Sequence, residues 1–384
     1  MLVKEDYAME ILTLGEKIKR RRKEQKMTLK DLAGDRITPG QISLVESGRS
    51  NPSMDLLEYL ANALQTSVEY LMESEETQAE KICIYYEQSA ETYILNEDYI
   101  SAEEYIENAL FYAEKYKLEY RKAKNLFLRA NICNAKNELV LAQQLYLSAN
   151  VIFIKRNNFE QIIKTFLNLG KITLSLKAYH SAISYLKQAE KVYLYNDIGN
   201  DSLLGEIYYE MAESYFKIDD TNKSLEYTFL AKQKFEQVQD RREYGKSLIS
   251  LSKEYNKKGD IANAIKYSKK SLEVYKELEA EKNVSSIENN LGKLFFEFDN
   301  IEEAFKHYNT AKQIRMRSND KDVVETMLNI CEGYIKIKEI EKCEKVLEEI
   351  GSLIDETNIE QVIEQNLFWY RAYIIKEMQD EAEN

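Results

Sequence analysis

Apolar side chains recur at helical spacing along most of the chain, and small residues recur at two points of each predicted helical hairpin. In the second helix of each hairpin the small residues are Ala102, Ala142, Ala182, Ser224, Ala264, Ala304 and Cys343. Twelve positions earlier, in the first helix, they are Ala90, Ala130, Gly170, Ala212, Ser252, Gly292 and Cys331. Because small side chains let two helices approach closely, this pattern predicts seven stacked helical hairpins.

The first part of the chain shows a different pattern, in which short apolar stripes alternate with capping residues. Thr28 caps a second predicted helix, Thr38 and Pro39 open a third, and Ser53 and Ser67 open a fourth and a fifth. Five short helices in so short a stretch predict a compact bundle.

These patterns divide the chain into five segments and predict an all-α fold. The only prolines, Pro39 and Pro52, lie near the N-terminus, so the rest of the 384 residues lacks the strongest helix breaker. The predicted segments are an N-terminal extension (1–13), a helical domain (14–72), a charged linker (73–78), seven repeats (79–358) and a capping helix containing Trp369 (359–384).

Charge is divided in the same way. Residues 1–72 carry 11 basic and 11 acidic side chains, whereas 73–384 carry 42 and 55, which accounts for the net charge of −13. An acidic body repels nucleic acid, so any DNA contact must be local. The segment 17–36, with nine basic and three acidic residues, is the candidate patch.

Residues 14–72 resemble the phage-repressor (XRE) type of helix-turn-helix family, whose cap, Leu-Ala, Ile, Val-Glu-x-Gly and Pro-Ser elements occur here in order. The resemblance implies that the third helix enters the major groove and that Arg22 pairs with Glu46. The candidate DNA-binding residues are Arg20, Arg21, Thr28, Thr38, Pro39, Gly40, Gln41, Ser43, Leu44, Arg49, Ser50 and Asn51.

The sequence departs from that family at two points, and its third helix is poor in side chains that read bases. Leu29 replaces the glutamine often found at the start of the second helix, and the link 34–37 is one residue shorter than in the phage repressors. In the third helix only Gln41 offers an obvious bidentate contact to a base. We therefore expect phosphate contacts to supply most of the affinity. The alternative is that the basic run is a solvated helix face or binds a protein.

The repeats resemble tetratricopeptide repeats with a longer period, which implies a right-handed α-solenoid. The sequence Asn-Leu-Gly-Lys occurs at 168–171 and again at 290–293, at the same point of repeats three and six. Helical spacing turns its asparagine and lysine away from the buried stripe, and amides suit an extended peptide backbone. The candidate peptide-binding residues are Asn131, Asn168, Lys171, Glu210, Glu213, Lys253, Asn290, Lys293 and Asn329. Alternatively, these are solvated polar residues retained by descent from one ancestral unit.

The whole architecture resembles the peptide-pheromone regulators of Gram-positive bacteria, the Rgg, NprR, PlcR and PrgX group, which is related to the Rap proteins. This resemblance implies a cytoplasmic homodimer that binds an operator in double-stranded DNA and takes part in quorum sensing. An imported signalling oligopeptide bound in the repeats would modulate DNA binding. The rival hypothesis is a Rap-like adaptor whose repeats bind another protein, with DNA binding secondary.

Catalytic, cofactor and metal sites are not expected. His180 and His307 are the only histidines, in different repeats, and no nucleophile and base pair or phosphate loop is visible. Four widely spaced cysteines argue against a disulfide framework or a zinc site. Cys331 and Cys343 occupy small-residue positions and are expected to be small buried side chains. Without a long apolar run or a recognisable signal peptide, the sequence predicts a cytoplasmic protein outside the membrane.

Overall fold

The computed structural model describes residues 10–354 and 359–383, and within these ranges the chain is helical without any strand. It divides into two compact units, Met1–Ile172 and Thr173–Asn384. The predicted all-α fold is therefore confirmed. The first unit contains the short N-terminal helices together with the first repeats.

Five short helices form the N-terminal bundle: α1 (Leu14–Glu24), α2 (Leu29–Ala33), α3 (Pro39–Glu46), α4 (Met54–Ala63) and α5 (Val68–Met72). The predicted capping residues begin the second to fifth helices, and Thr13 caps the first with a reciprocal bond to Glu16. The core contains Ile18, Leu32, Ile42, Leu60 and Leu71, all fully buried. Local capping thus fixes where each helix starts, and the buried stripe fixes which face turns inward.

A close contact between backbones holds α1 against the end of α3. A Cβ added to Gly15 would lie 2.5 Å from the carbonyl oxygens of both Val45 and Glu46, so only glycine fits. At the other end of the turn after α3, Gly48 has a φ of +71°, and the Arg49 amide donates to the Leu44 carbonyl at 2.9 Å. Glycines therefore set both the packing and the termination of the third helix.

The predicted linker at 73–78 is wrong for its last four residues. Helix α6 (Glu75–Leu95) already begins at Glu75, because the Ser74 hydroxyl accepts a hydrogen bond from the Thr77 amide at 3.1 Å. The acidic residues that suggested a linker instead lie in the first helical turn, where carboxylates are favourable. The Gln78 side chain also bonds the Leu12 amide (3.0 Å) and carbonyl (2.9 Å) and so ties the N-terminal extension to α6.

In the described ranges fourteen further helices follow α6. They are α7 (Tyr99–Lys115), α8 (Glu119–Ala135), α9 (Leu139–Lys155), α10 (Phe159–Ser175), α11 (Tyr179–Asn196), α12 (Asp201–Lys217), α13 (Thr221–Gln237), α14 (Arg241–Lys257), α15 (Ile261–Glu277), α16 (Glu281–Glu297), α17 (Ile301–Arg317), α18 (Val323–Lys336), α19 (Ile340–Gly351) and α20 (Ile359–Glu383). Every turn between α6 and α19 contains a residue with positive φ. Such a residue ends a helix by satisfying its last carbonyls, so all of these joints are built alike.

The small-residue positions are buried, as predicted. Most copies are fully inaccessible, including Cys331 and Cys343. At Gly292 a Cβ would meet the ring of Tyr308 at 2.4 Å, which explains the glycine of the second Asn-Leu-Gly-Lys. Where serine replaces alanine, its hydroxyl donates across the hairpin, as Ser252 does to the Ala264 carbonyl at 2.8 Å. Close helix approach, and not chemistry, accounts for these residues.

Helix α20 lies on the last repeat. Ala372 is fully buried there, and Phe368 and Trp369 pack against the apolar cluster formed by α18 and α19. Arg371 pairs with both carboxylate oxygens of Glu332 at 2.6 and 2.9 Å. The final repeat is thereby covered on the side that has no following hairpin.

Candidate functional sites

Helix α3 presents its predicted contact residues to solvent. Ile42 and Val45 are buried in the bundle, and the predicted positions on either side of them are exposed. Leu44 is 45% exposed, which suits contact with a thymine methyl. The six predicted α3 residues that share this surface are Thr38, Pro39, Gly40, Gln41, Ser43 and Leu44.

An ion pair locks α1 to this helix. Arg22 Nε lies 2.6 Å from Glu46 Oε1, Arg22 Nη2 lies 2.9 Å from Glu46 Oε2, and Arg22 Nη1 donates to the Met27 carbonyl. The side chains are only 12% and 7% exposed, and the hydrogen bond to Glu46 raises the pKa of Arg22. The pairing expected from the resemblance is confirmed, and its two-point geometry fixes the orientation of α3.

Several predicted DNA contacts already have partners within the domain. The Gln41 side chain accepts a hydrogen bond from the Thr38 amide at 2.9 Å, and Thr28 is similarly engaged with Asp31. The hydrogen bonds from Thr28 hold the pKa of Asp31 below its ordinary value. Only the side-chain NH2 group of Gln41 is therefore available to a base, because its oxygen already accepts from Thr38. Direct readout of a base by Gln41 is correspondingly weaker.

The predicted phosphate-binding arginines differ from one another. Arg20 and Arg21 both bond Glu24, at 3.2 and 3.0 Å, and these bonds lower the pKa of that carboxyl. Arg49 is exposed and forms no ion pair with any residue that the structure describes, and Ser50 and Asn51 are exposed beside it. Arg49 is thus the arginine that most readily meets a phosphate.

In the first unit, two of the candidate asparagines share one tyrosine. The Tyr146 hydroxyl donates to Asn131 Oδ1, and Asn168 also hydrogen-bonds this buried phenol. Burial raises the pKa of Tyr146. These asparagines of α8 and α10 therefore have a structural role in joining repeats two and three. Lys171 lies one turn further along α10.

In the second unit, three predicted residues surround one cavity. Lys253 of α14 and Asn290 and Lys293 of α16 line a space of about 150 Å³. Its remaining lining residues are Ile249, Ser252, Asn256, Ser268, Ile287, Leu294 and Glu297. The cavity therefore combines an apolar floor with amides and with charges of both signs. The sequence had not singled out Asn256, although it lies one helical turn beyond Ser252.

The other second-unit candidates lie outside this cavity. Ser250 donates to Glu213 at 2.7 Å, and Asn329 donates to Asn289 Oδ1 at 3.1 Å. Glu210 lies on α12 with Glu213. Among the candidates of the second unit, Lys253, Asn290 and Lys293 are the ones that line a common open space.

Glu254 is a buried carboxyl that sequence reasoning missed. It is 1% exposed, and Ser224 Oγ lies within hydrogen-bonding reach of both Glu254 Oε1 and the Ala212 carbonyl. The Ser224 hydroxyl donates to both acceptors and so ties the buried carboxyl of α14 to α13. Burial raises the pKa of Glu254 to about 7. The only sequence signal was a glutamate beside a small-residue position.

Comparison with protein families finds a match in each of the two parts. Residues 18–71 match the helix-turn-helix family, and residues 246–317 match the tetratricopeptide repeat family. The chain therefore combines a helix-turn-helix domain with tetratricopeptide repeats. No helix in the described ranges is long and apolar enough to span a membrane, and no cluster of side chains there is arranged to hold a metal ion.

Solved structures share this fold at low identity. The apo form of RapI has a TM-score of 0.60 and 15% identity, with 75% of this chain and 82% of RapI covered. The apo form of the quorum sensor NprR from B. thuringiensis has a TM-score of 0.51 and 13% identity, with 76% and 81% covered. These likenesses establish a fold shared with RapI and NprR.

One curated relative also matches part of the chain. A kinesin light chain-related protein of Arabidopsis thaliana is 22% identical over 194 residues, which is 50% of this chain and 29% of the relative. The chain therefore spans less than a third of that relative's length. The match reflects helical repeats and carries no common activity.

Proposed function

We propose that this protein is a sequence-specific DNA-binding transcriptional regulator whose repeats bind a signalling oligopeptide that modulates DNA binding. One observation carries the proposal. A single chain combines an exposed α3, held rigidly by Arg22 and Glu46, with a repeat cavity lined by Lys253, Asn290 and Lys293. The proposal includes a cytoplasmic homodimer, as the resemblance implies.

The DNA-binding part rests on the geometry of α3. Its N-terminus and outer face are exposed to solvent, and Arg49, Ser50 and Asn51 follow shortly after it. Backbone amides and an arginine at the two ends of a recognition helix suit phosphate contacts, which set its register in the groove.

The peptide-binding part rests on the cavity between α14 and α16. A volume of about 150 Å³ equals roughly five water molecules, enough for one side chain of a ligand. The Asn256 and Asn290 amides offer donors and acceptors for a peptide backbone, and Lys253 forms no ion pair with a described residue. A peptide carrying a carboxylate at this point fits best. It changes DNA binding only if its affinity differs between two arrangements of the protein.

The first experiment tests DNA reading. Purified protein selects sites from a random duplex pool at two salt concentrations, and an enriched inverted repeat with half-sites about one helical turn apart supports the proposal. The decisive variant is Gln41→Glu, because glutamate preserves the capping bond to Thr38 while placing a negative charge in the groove. Asn62→Glu, on the exposed part of α4, is the matched control. Equal binding by both variants contradicts the proposal.

The second experiment tests the peptide. Peptide fractions from the source cell's extract are screened for a change in operator affinity. We expect the response to be lost in Lys253→Glu and Asn290→Ala and kept in Lys270→Glu, an exposed lysine of the neighbouring α15 that does not line the cavity. No response from any fraction, or a response retained in the cavity variants, contradicts this part of the proposal.

A second candidate function is that of an adaptor whose repeats bind another protein. The observation in its favour is that Gln41, Arg20 and Arg21 already have intramolecular partners, which leaves few side chains free to read DNA. Gln41→Glu separates the two functions in the cell. It abolishes the activity of a DNA reader and leaves an adaptor unaffected.

A further inference from the structure

A tyrosine of α4 holds the short turn between α2 and α3. The Tyr59 hydroxyl donates to the carbonyl oxygens of Leu32 and Ala33, both at 3.2 Å, at the end of α2. The last carbonyls of a helix have no amide partner within it, so a side-chain donor stabilises the point where α2 ends. The Ala33 carbonyl also accepts from the Arg36 amide at 3.3 Å, which links the tyrosine to the backbone of Arg36.

The backbone of the turn lies against the same hydroxyl. A Cβ added to Gly34 would lie 2.5 Å from Tyr59 Oη, and Gly34 has a φ of +52°. The contact and the conformation therefore both require glycine there. The hydrogen bonds and this contact together give the segment 34–37 a defined path into α3.

The Arg36 side chain lies on the ring of this tyrosine. Its guanidinium carbon is 5.5 Å from the centre of the Tyr59 ring, within the range of a cation–π contact. Arg36 is exposed, and neither the neighbouring Asp35 nor any other described residue forms an ion pair with it. A cation–π contact uses no N–H donor, so the guanidinium is held in place with its donors available to an anion.

Arg36 lies beside the end of α3 that enters DNA in helix-turn-helix proteins. It precedes Thr38, the residue that caps α3, by two positions. In such proteins the N-terminal residues of the recognition helix contact base edges in the major groove, so the chain leading into this helix passes the phosphates that border the groove. Arg49 follows α3 and is likewise exposed without an ion pair among the described residues. One available arginine therefore flanks each end of α3.

We propose that Arg36 is a phosphate-binding residue of the DNA site and that Tyr59 is its positioning residue. A guanidinium presents a planar fork of donors that matches phosphate oxygens. The tyrosine holds both the backbone and the side chain of this arginine before DNA arrives, which lowers the ordering cost of the contact. The inference rests on the proposed DNA-binding function and extends its site to the turn before α3 and to α4.

The salt dependence of DNA binding tests the role of Arg36. Fluorescence anisotropy measures the affinity of the full-length protein from about 50 to about 200 mM salt for two duplexes, the most frequent one of the selected pool and one of unrelated sequence. Arg36→Ala should lower the slope of log affinity against log salt by about one per bound chain on both duplexes. Its affinity deficit should then shrink roughly 3.5-fold across this range. Arg36→Lys keeps the positive charge and should keep the slope.

Arg156→Ala is the matched control. Arg156 is exposed at the end of α9 and forms no ion pair with a described residue, so its loss should leave the slope unchanged. An Arg36→Ala protein with the wild-type slope, or an equal loss in the control variant, overturns the proposal.

Failure of the proposed function gives a different result. A wild-type protein that binds both duplexes equally, with a slope that falls in Arg36→Ala, refutes sequence-specific reading and supports Arg36 as a phosphate contact. A wild-type protein that binds neither duplex refutes both.

A double-mutant cycle tests the positioning by Tyr59. Tyr59→Gln keeps a hydrogen-bond donor but removes the ring, and it should lower the salt slope as Arg36→Ala does. In an Arg36→Ala background it should lower the slope no further. Tyr59→Phe keeps the ring and should keep most of the slope. A tyrosine with a purely structural role would change the melting temperature and not the slope, so a wild-type slope in Tyr59→Gln overturns the positioning role. Arg36→Ala decides the assignment of Arg36 independently, because that residue is exposed.

Discussion

The helix-turn-helix domain and the repeats reach stability in different ways. In the N-terminal bundle, single side-chain interactions hold each element: reciprocal caps at Thr28 and Thr38, and the Arg22 and Glu46 pair. In the repeats, the same small residues and the same turn recur in each hairpin. The N-terminal bundle therefore depends on a few specific side-chain interactions, whereas the repeats distribute their stability over many equivalent contacts.

The largest effect on stability is expected from the ion pair between Arg22 and Glu46 in the N-terminal bundle. Glu46→Ala leaves the largely buried guanidinium of Arg22 without its carboxylate, which should cost about 3 to 5 kcal/mol. Hydrogen exchange of the full chain measures it as faster exchange in α1 and α3. Arg20→Ala, which removes an exposed pair, is the control and should cost below about 1 kcal/mol. Equal effects of the two variants would show that the buried Arg22–Glu46 pair contributes no more to stability than the exposed pair of Arg20 does.

The next largest effect on stability is expected from the buried carboxyl of Glu254 in the repeats. Burial raises the pKa of Glu254 to about 7 from an ordinary value of 4.5, so the folded protein holds this proton more tightly than the unfolded chain. Stability is therefore lost as pH rises through this window and levels off above about 7. The full loss is on the order of 3 kcal/mol.

Thermal unfolding at pH 5.5 and pH 8 checks this prediction for Glu254. A glutamine at this position cannot ionise, so Glu254→Gln should unfold at a higher temperature than the wild type at pH 8 and exceed it by a smaller margin at pH 5.5. Glu297→Gln, an exposed glutamate two helices further on, is the control. The same pH response in wild type and Glu254→Gln would show that this carboxyl is ionised throughout.

A smaller effect is expected from crowding one hairpin. Gly292→Ala places a methyl group against the Tyr308 ring and should cost about 1 to 2 kcal/mol after the gain in helix propensity. The double variant Gly292→Ala with Tyr308→Leu should recover part of the loss, as chemical denaturation would measure. Without any recovery, the ring is not what excludes the methyl group.

The smallest effect is expected at the recognition-helix cap. Thr38→Ala removes the hydroxyl that accepts from the Gln41 amide and should cost about 1 kcal/mol. Thr38→Ser preserves the hydroxyl and should be nearly neutral by thermal unfolding. A neutral Thr38→Ala would mean that packing alone holds the start of α3.

Much of this architecture was predictable because local rules and periodicity govern it. Caps at Thr38 and Ser53 follow from sequence, and so do the small positions such as Gly292, because neither depends on a distant partner. The linker prediction was wrong from Glu75 onwards because acidic residues such as Glu75 and Glu76 occur in charged loops and also favour a helix N-terminus. Composition alone does not distinguish a charged loop from the first turn of a helix.

The candidate sites were less predictable because a polar side chain can hydrogen-bond to several alternative partners. Gln41 was predicted as a base reader, yet the same spacing from Thr38 forms a capping bond. Asn131 and Asn168 were predicted to face a ligand, and their shared partner Tyr146 comes from a different helix. Lys253, Asn290 and Lys293 meet around a cavity because repeats five and six place equivalent positions side by side.

The uniform turn between repeat helices has a practical consequence for engineering. Since the joint after α14 and the joint after α16 each contain one left-handed residue, Gly259 and Asp299, the hairpin between them can be removed or duplicated without creating a new kind of junction. Deleting residues 259–298 would put Asp299 in the place of Gly259, and both residues have positive φ. The number of repeats can therefore be changed in steps of one helical hairpin.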